Sequence, residues 1–159
     1  MYNLEMSKVQ FRYAKIEDAY LMNEVLRDAD RRELEASSGR EALKVLVDSI
    51  RISTKSIVGL YDGKIIALFG VAPEVLLEGR GCVWMVGSKY LPKIPRVFLT
   101  YCEMCMNELK VGYNYLFNHV DARNKIAINW LKWLGFTIEE AKPYGAYKLP
   151  FHRFYLEVK

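Results

Sequence analysis

The stretch from Tyr115 to Phe136 constrains the fold more than any other, because its hydrophobic period changes once along its length. Up to Asp121, aromatic and polar side chains alternate with apolar ones, which is the period-two pattern of a strand. From Asn124 onward, apolar residues recur at the spacing of a helix face. Gly135 follows where a helix C-terminus favours a residue that tolerates positive φ. The sequence therefore predicts a strand, a helix and the start of another strand in direct succession.

The remaining stretches supply the other elements of a mixed sheet. Two β-rich runs, 56–61 and 64–72, flank Asp62 and Gly63, and this pair predicts a tight type I′ hairpin because both turn residues need positive φ. The whole order, β-α-α-β-β-β-α-β-α-β-β with about seven strands, is that of a single α/β (α+β) domain over residues 1–159. The spacings further predict strands at 9–13, 82–86 and 153–158, helices from Asp18 to about Arg32, at 42–50 and from Pro95 to about Lys110, and a loop at 142–150.

Composition excludes a disordered or membrane-spanning chain. Hydrophobic residues make up 52% and aromatic residues 13% of the sequence, which is enough to bury a continuous core. No apolar run reaches the roughly 18 residues of a spanning helix, and no basic segment followed by an apolar one opens the chain. We therefore expect a cytoplasmic protein without a membrane span.

Charge and cysteine spacing argue against two further classes. The net charge of +4 is spread along the chain, whereas nucleic-acid surfaces cluster Lys and Arg, so nucleic acid is not expected as a partner. Cys102 and Cys105 form a C-x-x-C pair, but the sequence holds no second pair, and His119 and His152 are isolated. We expect no metal site, because packing on an apolar helix face explains both thiols.

The strand-helix-strand stretch also carries a family resemblance. Val120, Asn124 and Ala127 precede a Leu-Gly-Phe triplet at 134–136. This order resembles the unit in the C-terminal half of the Gcn5-related N-acetyltransferase (GNAT) superfamily, and the predicted element order extends the resemblance over nearly the whole chain. The resemblance implies a GNAT-like mixed, twisted sheet with helices on both faces. It also implies transfer of an acetyl group from acetyl-CoA, as cosubstrate, to an amine on a small molecule or a protein.

A place for acetyl-CoA follows from the same resemblance. In the superfamily the fourth and fifth strands splay apart around the pantetheine arm. The pyrophosphate meets the N-terminus of the next helix, where free N–H groups and the helix dipole attract anions. By this resemblance, the arm would contact Trp84, Met85, Val86, Asn124 and Trp130, and the pyrophosphate would lie near Lys89, Lys93 and Arg96.

The predicted phosphate loop departs from the superfamily pattern. Its usual glycines are absent, and Pro92 and Pro95 each lack an N–H that a pyrophosphate would use. Lys89, Lys93 and Arg96 could supply charge in place of these dipoles, or they are solvated surface cations. The sequence leaves both interpretations open, and we expect acetyl-CoA to bind weakly for this fold.

Candidates for catalytic proton transfer follow from residue type and position. His119 and Asp121 share a strand face beside the expected splay and are candidate bases, although a single His on a strand also serves in packing. Many members of the superfamily carry a Tyr seven residues after the Asn, but here Leu131 stands there and cannot donate a proton. Further candidates are the acidic residues before the fourth strand, Glu74 and Glu78, and three phenols that could replace the missing acid, Tyr90, Tyr101 and Tyr144.

Asn124 has two competing roles. Its side chain can accept a hydrogen bond from a backbone N–H and so cap the helix that follows, which contributes about 1 kcal/mol. By the resemblance, it could instead contact the pantetheine amides. Capping is the favoured interpretation, because it needs only local geometry.

A narrower resemblance suggests an alternative to catalysis. The run Trp84-x-Val86-Gly87-Ser88, a long glycine-free helix and the Asn-Trp-Leu triplet at 129–131 resemble small acetyltransferase-like proteins of short-tailed bacteriophages. That group includes an internal virion protein, and the resemblance covers residues 82–158. It implies a catalytically degenerate GNAT-fold protein, located in the host cytoplasm or the virion. Such a protein would act through contacts with other phage or host proteins in virion assembly or host interaction.

Overall fold

The computed structural model describes residues 8–94 and 96–159, so the expected position of Pro95 at the start of a helix lies outside the described residues. Eight strands form one sheet within this part of the chain. They are β1 (Val9–Tyr13), β2 (Lys55–Tyr61), β3 (Lys64–Pro73), β4 (Arg80–Gly87), β5 (Tyr115–Asp121), β6 (Thr137–Ile138), β7 (Lys142–Tyr144) and β8 (Leu149–Glu157). Their order in the sheet is β1-β2-β3-β4-β5-β8-β6, and β7 also pairs with β8.

Helices cover both faces of this sheet, as predicted. The described helices are α1 (Ile16–Val25), α2 (Asp28–Ser38), α3 (Ala42–Ile52), α4 (Arg96–Lys110) and α5 (Lys125–Trp133). Adjacent residues of β2 point to opposite faces, so Val58 packs with α1 and α3 while Ile57 packs with α4 and α5. None of these helices combines the length and the apolar character that a membrane span requires.

The hairpin between β2 and β3 confirms the strongest local prediction. Asp62 and Gly63 have φ values of 50° and 77°, and Tyr61 pairs directly with Lys64 across the two-residue turn. Both turn residues therefore have the positive φ that a type I′ turn requires.

The single helix predicted from Asp18 to about Arg32 is wrong. The chain leaves the helical conformation at Leu26 and Arg27, whose ψ angles of 136° and 140° are extended, and so it forms two helices, α1 and α2. Leu26 instead forms a β-bridge with Ser88 just beyond β4. The predicted order therefore lacks one helix. The loop predicted at 142–150 also contains β7 and the start of β8.

The splay expected between the fourth and fifth strands is present. β4 pairs with β5 in parallel only along Arg80–Cys82, opposite Tyr115–Phe117. Beyond that point the strands diverge, and the Asn118 side chain bridges the gap by donating from Nδ2 to the Val83 carbonyl at 2.8 Å. The last residues of β4 thus have an edge that β5 does not cover.

Candidate active site

Three cavities follow one another along the splay. An outer groove of about 570 Å³ lies between the 3-10 turn Leu91–Lys93, α4 and α5. An inner cavity of about 100 Å³ lies beside α2 and β7. Between them is a middle cavity of only about 10 Å³. The middle cavity shares Leu91 and Trp130 with the outer groove and shares Met85, Val86 and Ala127 with the inner cavity.

His119 and Tyr144 form one wall of the inner cavity. Their rings stack with centroids 3.7 Å apart and planes 9° from parallel. Burial and the nearby Arg153 charge lower the pKa of His119, against a smaller opposing effect of Glu139. Burial also raises the pKa of the Tyr144 phenol. At neutral pH the imidazole is therefore unprotonated and the phenol keeps its proton.

Glu33 of α2 is a site residue that the sequence did not reveal. Its Oε1 accepts hydrogen bonds from the Asp121 backbone N–H at 2.7 Å and from Asn124 Nδ2 at 3.4 Å. The Glu33 side chain lines the inner cavity. Burial is the main cause that raises the pKa of its carboxyl to about 8, and the negative charge of Asp30 is the next largest cause. In the sequence it is one acidic residue in a strongly charged helix, and no spacing distinguishes it from its neighbours.

The peptide groups of Met85 face the splay. Those of Val83 and Gly87 point that way, because the Val83 carbonyl accepts from Asn118 and the Gly87 N–H donates to Asp30. Strand alternation turns the Met85 groups in the same direction. A backbone N–H of β4 therefore lies where it can donate to an acyl oxygen, and Trp84, Met85 and Val86 line the inner cavity.

A buried polar cluster fills the gap between β4 and the start of α5. Asp30 accepts from Gly87 N at 2.8 Å, from Arg27 Nη1 at 2.9 Å and from Asn124 Nδ2 at 2.8 Å. Arg27 Nη2 also donates to Asn124 Oδ1 at 3.3 Å. The side chains of Arg27 and Asp30 are only 11% and 3% exposed. We call these three side chains the Arg27–Asp30–Asn124 cluster.

The predicted capping bond of Asn124 is wrong. Asn124 does occupy the N-cap position of α5, and its carbonyl accepts from Ile128 N at 3.1 Å. Its side chain makes no capping hydrogen bond, because the amide is turned away toward Asp30 and Arg27. The side chain of Asn124 therefore bonds to residues of α2 and the segment before it and not to a backbone N–H of its own helix.

Three predicted catalytic residues lie outside the cavities. Asp121 is buried, and although burial opposes it, hydrogen bonding from Arg123 lowers the pKa of this carboxyl. Glu78 is exposed in the β3–β4 loop, at the end of β4 remote from the splay. Tyr101 lies on α4, with its ring 6.2 Å from that of Phe11. None of the three lines a cavity described above.

Residues 89–94 of the predicted phosphate loop offer charge but few free amides. Lys89 and Lys93 are exposed, and Arg96 lines the outer groove together with Trp130. The Lys89 N–H donates to the Val25 carbonyl at 2.8 Å. The other described loop amides, those of residues 90, 91, 93 and 94, donate to Ser88 Oγ, Ser88 O, Tyr90 O and Leu91 O. An anion at the described part of this loop would therefore meet side-chain cations.

The loop after β7 is held against the end of α2. The Ala146 N–H donates to the Ser37 carbonyl at 3.2 Å. Gly145 has φ 82°, and a Cβ there would come within 2.7 Å of the Ser37 Cα, so only glycine permits this approach. We call this contact the α2 latch; it lies beside Tyr144 and fixes one side of the inner cavity.

No group of three or more His, Cys, Asp or Glu in residues 8–94 and 96–159 could hold a metal ion. The structure brings His119, Glu33, Tyr144 and Met85 together at the inner cavity of the splay.

Comparison with solved structures shows that the open sheet with its helices is a known arrangement. The chain is similar to an acetyltransferase of the GNAT family from Streptococcus pneumoniae, with TM-score 0.63, 16% identity, and coverage of 94% of this chain and 99% of that chain. It is similar to spermidine N-acetyltransferase from Vibrio cholerae in complex with CoA and spermine, with TM-score 0.67, 13% identity, and coverage of 95% and 96%. It is also similar to yncA from Salmonella typhimurium, a protein solved with its cofactor acetyl-CoA. The TM-score is 0.62, the identity is 14%, and the match covers 96% of this chain and 95% of that chain.

The chain therefore has the GNAT acetyltransferase fold, as the sequence predicted. No protein-family model matches the chain, and no curated protein matches it in sequence. Nothing in these comparisons supports the expected likeness of residues 82–158 to bacteriophage proteins.

Proposed function

We propose that this protein is an acyl-CoA-dependent N-acyltransferase that transfers an acetyl group from acetyl-CoA to an amine. The observation that carries the proposal is the inner cavity, where the Met85 peptide meets His119 and Glu33 at the splay between β4 and β5. Hydrogen-bond donors and groups that exchange protons near neutral pH are what acyl transfer to an amine requires.

The residues of the inner cavity divide the proton transfers between them. His119, unprotonated at neutral pH, accepts the proton that the amine loses as its nitrogen bonds to the acyl carbon. The Met85 N–H donates to the acyl oxygen while the bond from carbon to sulfur breaks. Glu33, which is protonated at neutral pH, returns a proton to the departing sulfur. Tyr144 is the second donor at this cavity.

The outer groove fits the rest of acetyl-CoA in part. Its lining is mainly apolar, with Trp130 on one wall, and Arg96 supplies a cation at the rim. Lys89 and Lys93 supply further positive charge on the same loop. The groove thus offers apolar surface for an arm and cations for phosphates. The loop amides largely donate within the protein, which supports weak binding.

Calorimetric titration with acetyl-CoA tests the proposal. We expect measurable binding, together with a change in fluorescence, because Trp130 and Trp133 line the outer groove. The variant Lys93→Glu/Arg96→Glu should weaken binding roughly tenfold. The matched control is Lys44→Glu/Arg51→Glu, which makes the same charge change on α3 and should leave affinity unchanged. No binding to the parent at millimolar ligand would contradict the proposal.

Release of free thiol from acetyl-CoA in the presence of amines tests the transfer itself. Spermine is a first acceptor to try, because a protein of the same fold was solved with it. A lysine-containing peptide tests a protein acceptor in the same assay. We expect release to depend on the amine and to fall at least tenfold in His119→Ala.

Two observations favour a second candidate, in which the fold acts through protein contacts and not through acyl transfer. The backbone of residues 25–27 and the Asp30 carboxylate together occupy the end of β4. At the other end of β4, Val75 and Leu76 are 95% and 87% exposed, so the β3–β4 loop presents apolar surface. The bacteriophage alternative that the sequence of residues 82–158 raised would act in this way. Absence of acetyl-CoA binding would favour this candidate.

A further inference from the structure

The segment between α1 and α2 extends the sheet at the end of β4. The Arg27 N–H donates to the Gly87 carbonyl at 3.0 Å, and the Lys89 N–H donates to the Val25 carbonyl at 2.8 Å. Leu26 and Ser88 form an antiparallel bridge between these two bonds. The chain thus supplies its own partner for the strand edge that the splay leaves uncovered.

The side chains of Asp30 and Asn124 also cover the end of β4. Asp30 takes the Gly87 N–H, so both peptide groups of Gly87 that face the splay are bonded to the 25–30 segment. Asn124, at the start of α5, ties this segment to the opposite side of the gap through Asp30 Oδ1. Both walls of the splay are therefore joined by the Arg27–Asp30–Asn124 cluster.

The middle cavity shows how tight this closure is. Its volume of about 10 Å³ is at the lower limit for a single water molecule. The outer groove and the inner cavity are far larger, at about 570 and 100 Å³. A flexible arm could occupy either space, but it cannot reach from one to the other past Arg27 and Asp30.

We propose that the 25–30 segment, held by the Arg27–Asp30–Asn124 cluster, is a gate that must withdraw before an acyl-CoA arm can pass from the outer groove to the inner cavity. The inference rests on the proposed function. An amide-bearing arm would then pair with the Gly87 groups that Arg27 and Asp30 release.

The chemistry of the gate permits opening. A buried ion pair contributes little net stability, because desolvation offsets much of its attraction, and Arg27 and Asp30 both regain water when the segment withdraws. The cost of opening appears as a loss of affinity, since the apparent dissociation constant is the intrinsic one divided by the open fraction. The gate therefore adds a second reason for weak binding, independent of the phosphate loop.

The test compares acetyl-CoA affinity in a gate variant and a matched control. In Arg27→Met/Asp30→Asn the side-chain volumes are nearly kept but the ion pair is lost, and we expect acetyl-CoA to bind at least about fivefold more tightly. The control is Arg31→Met, which removes a half-buried guanidinium of α2 that bonds to Asn23 and touches no cavity described above. Its affinity should equal that of the parent.

Hydrogen exchange gives a second measurement on the unaltered protein. The amides of Arg27 and Lys89 should exchange faster when the protein is saturated with acetyl-CoA, because their acceptors lie across the gate. If acetyl-CoA binds equally well to parent and variant, and protects these amides or leaves them unchanged, the gate is wrong while the proposed function stands. If neither protein binds acetyl-CoA, both the proposed function and the gate fail.

Discussion

The two ends of β4 find their partners in different ways. At its start, Arg80–Cys82 pairs with β5 as a regular parallel ladder, and Arg80 lies half-exposed over the rings of Tyr115 and Phe117. At its end, Gly87 is bonded to a helix break and to a buried carboxylate. A ladder is repetitive and tolerates change at its surface, whereas three buried polar side chains depend on one another. The difference teaches that this fold can keep its sheet intact while its cleft is closed by the chain itself.

The largest effect should come from removing the acceptor at the closed end of β4. Asp30→Ala leaves the Gly87 N–H, the Arg27 guanidinium and the Asn124 amide without their acceptor. Breaking a buried pair in this way should lower the free energy of unfolding by about 3 kcal/mol, measured by urea denaturation. Asp28→Ala is the control, since it removes an exposed carboxylate from the same helical turn and should cost below about 1 kcal/mol. Equal losses would remove the contrast between the two ends.

Asn124→Asp distinguishes a role of Asn124 in the Arg27–Asp30–Asn124 cluster from a role as a helix cap. Asp is as good a cap as Asn, so a capping residue would lose almost nothing. At this site the new carboxylate replaces a donor 2.8 Å from Asp30 Oδ1, and the two charges repel. We expect a loss on the order of 2 kcal/mol by urea denaturation, no smaller than that of Asn124→Ala. A variant as stable as the parent would restore the capping account.

Glu33→Gln tests the raised pKa of the carboxyl at the inner cavity, because that pKa makes the stability of the parent depend on pH. The folded pKa of about 8 lies above the ordinary value of 4.5, so the folded state holds the proton more tightly. Its stabilising contribution is present below pH 4.5 and is lost as pH rises through 8. The Gln variant should therefore gain on the parent between pH 5 and pH 8, by on the order of 1–2 kcal/mol or a few degrees of Tm. If the difference in free energy of unfolding between variant and parent did not change with pH, the pKa of Glu33 would be an ordinary one.

The smallest effect should come from a charge at the start of β4, where this strand pairs with β5. Glu74 Oε2 lies 2.9 Å from Arg80 Nε, but neither atom forms a hydrogen bond, so the contact is an ion pair with poor geometry. Both side chains are more than a quarter exposed. Glu74→Gln should change the free energy of unfolding by less than about 0.5 kcal/mol in urea denaturation. A loss comparable with that of Asp30→Ala would mean that both ends of β4 depend on charge.

Local chemistry decided which parts of the fold the sequence could predict. Asp62 and Gly63 specify their turn by themselves, because the required φ angles belong to those two residues. The break at Leu26 has no Gly or Pro to mark it, and its cause is the edge of β4, some sixty residues away in the sequence. Helical spacing therefore continued through it without interruption.

The candidate site followed the same rule. His119 was expected beside the splay from the alternation of its strand, and the run 84–86 from the family resemblance, and these residues line the inner cavity. Glu33 was missed and the cap of Asn124 was wrong for one reason, which is that both side chains are oriented by partners on other elements. Spacing along a chain reports which face a residue occupies, but a buried polar group is oriented by whichever partner the fold brings near.

Under the proposed function, the α2 latch would connect the binding of the amine with the binding of acetyl-CoA. Helix α2 carries Asp30 at the gate and Glu33 at the inner cavity, and its last turn is fastened to Gly145 beside Tyr144. An amine that settles against Tyr144 would bias the position of α2, and an arm that opens the gate would bias it too. By linkage, each ligand must then change the affinity of the other by the same factor. Under the proposed function, binding of the amine and binding of the arm would then be coupled through the close approach that Gly145 permits.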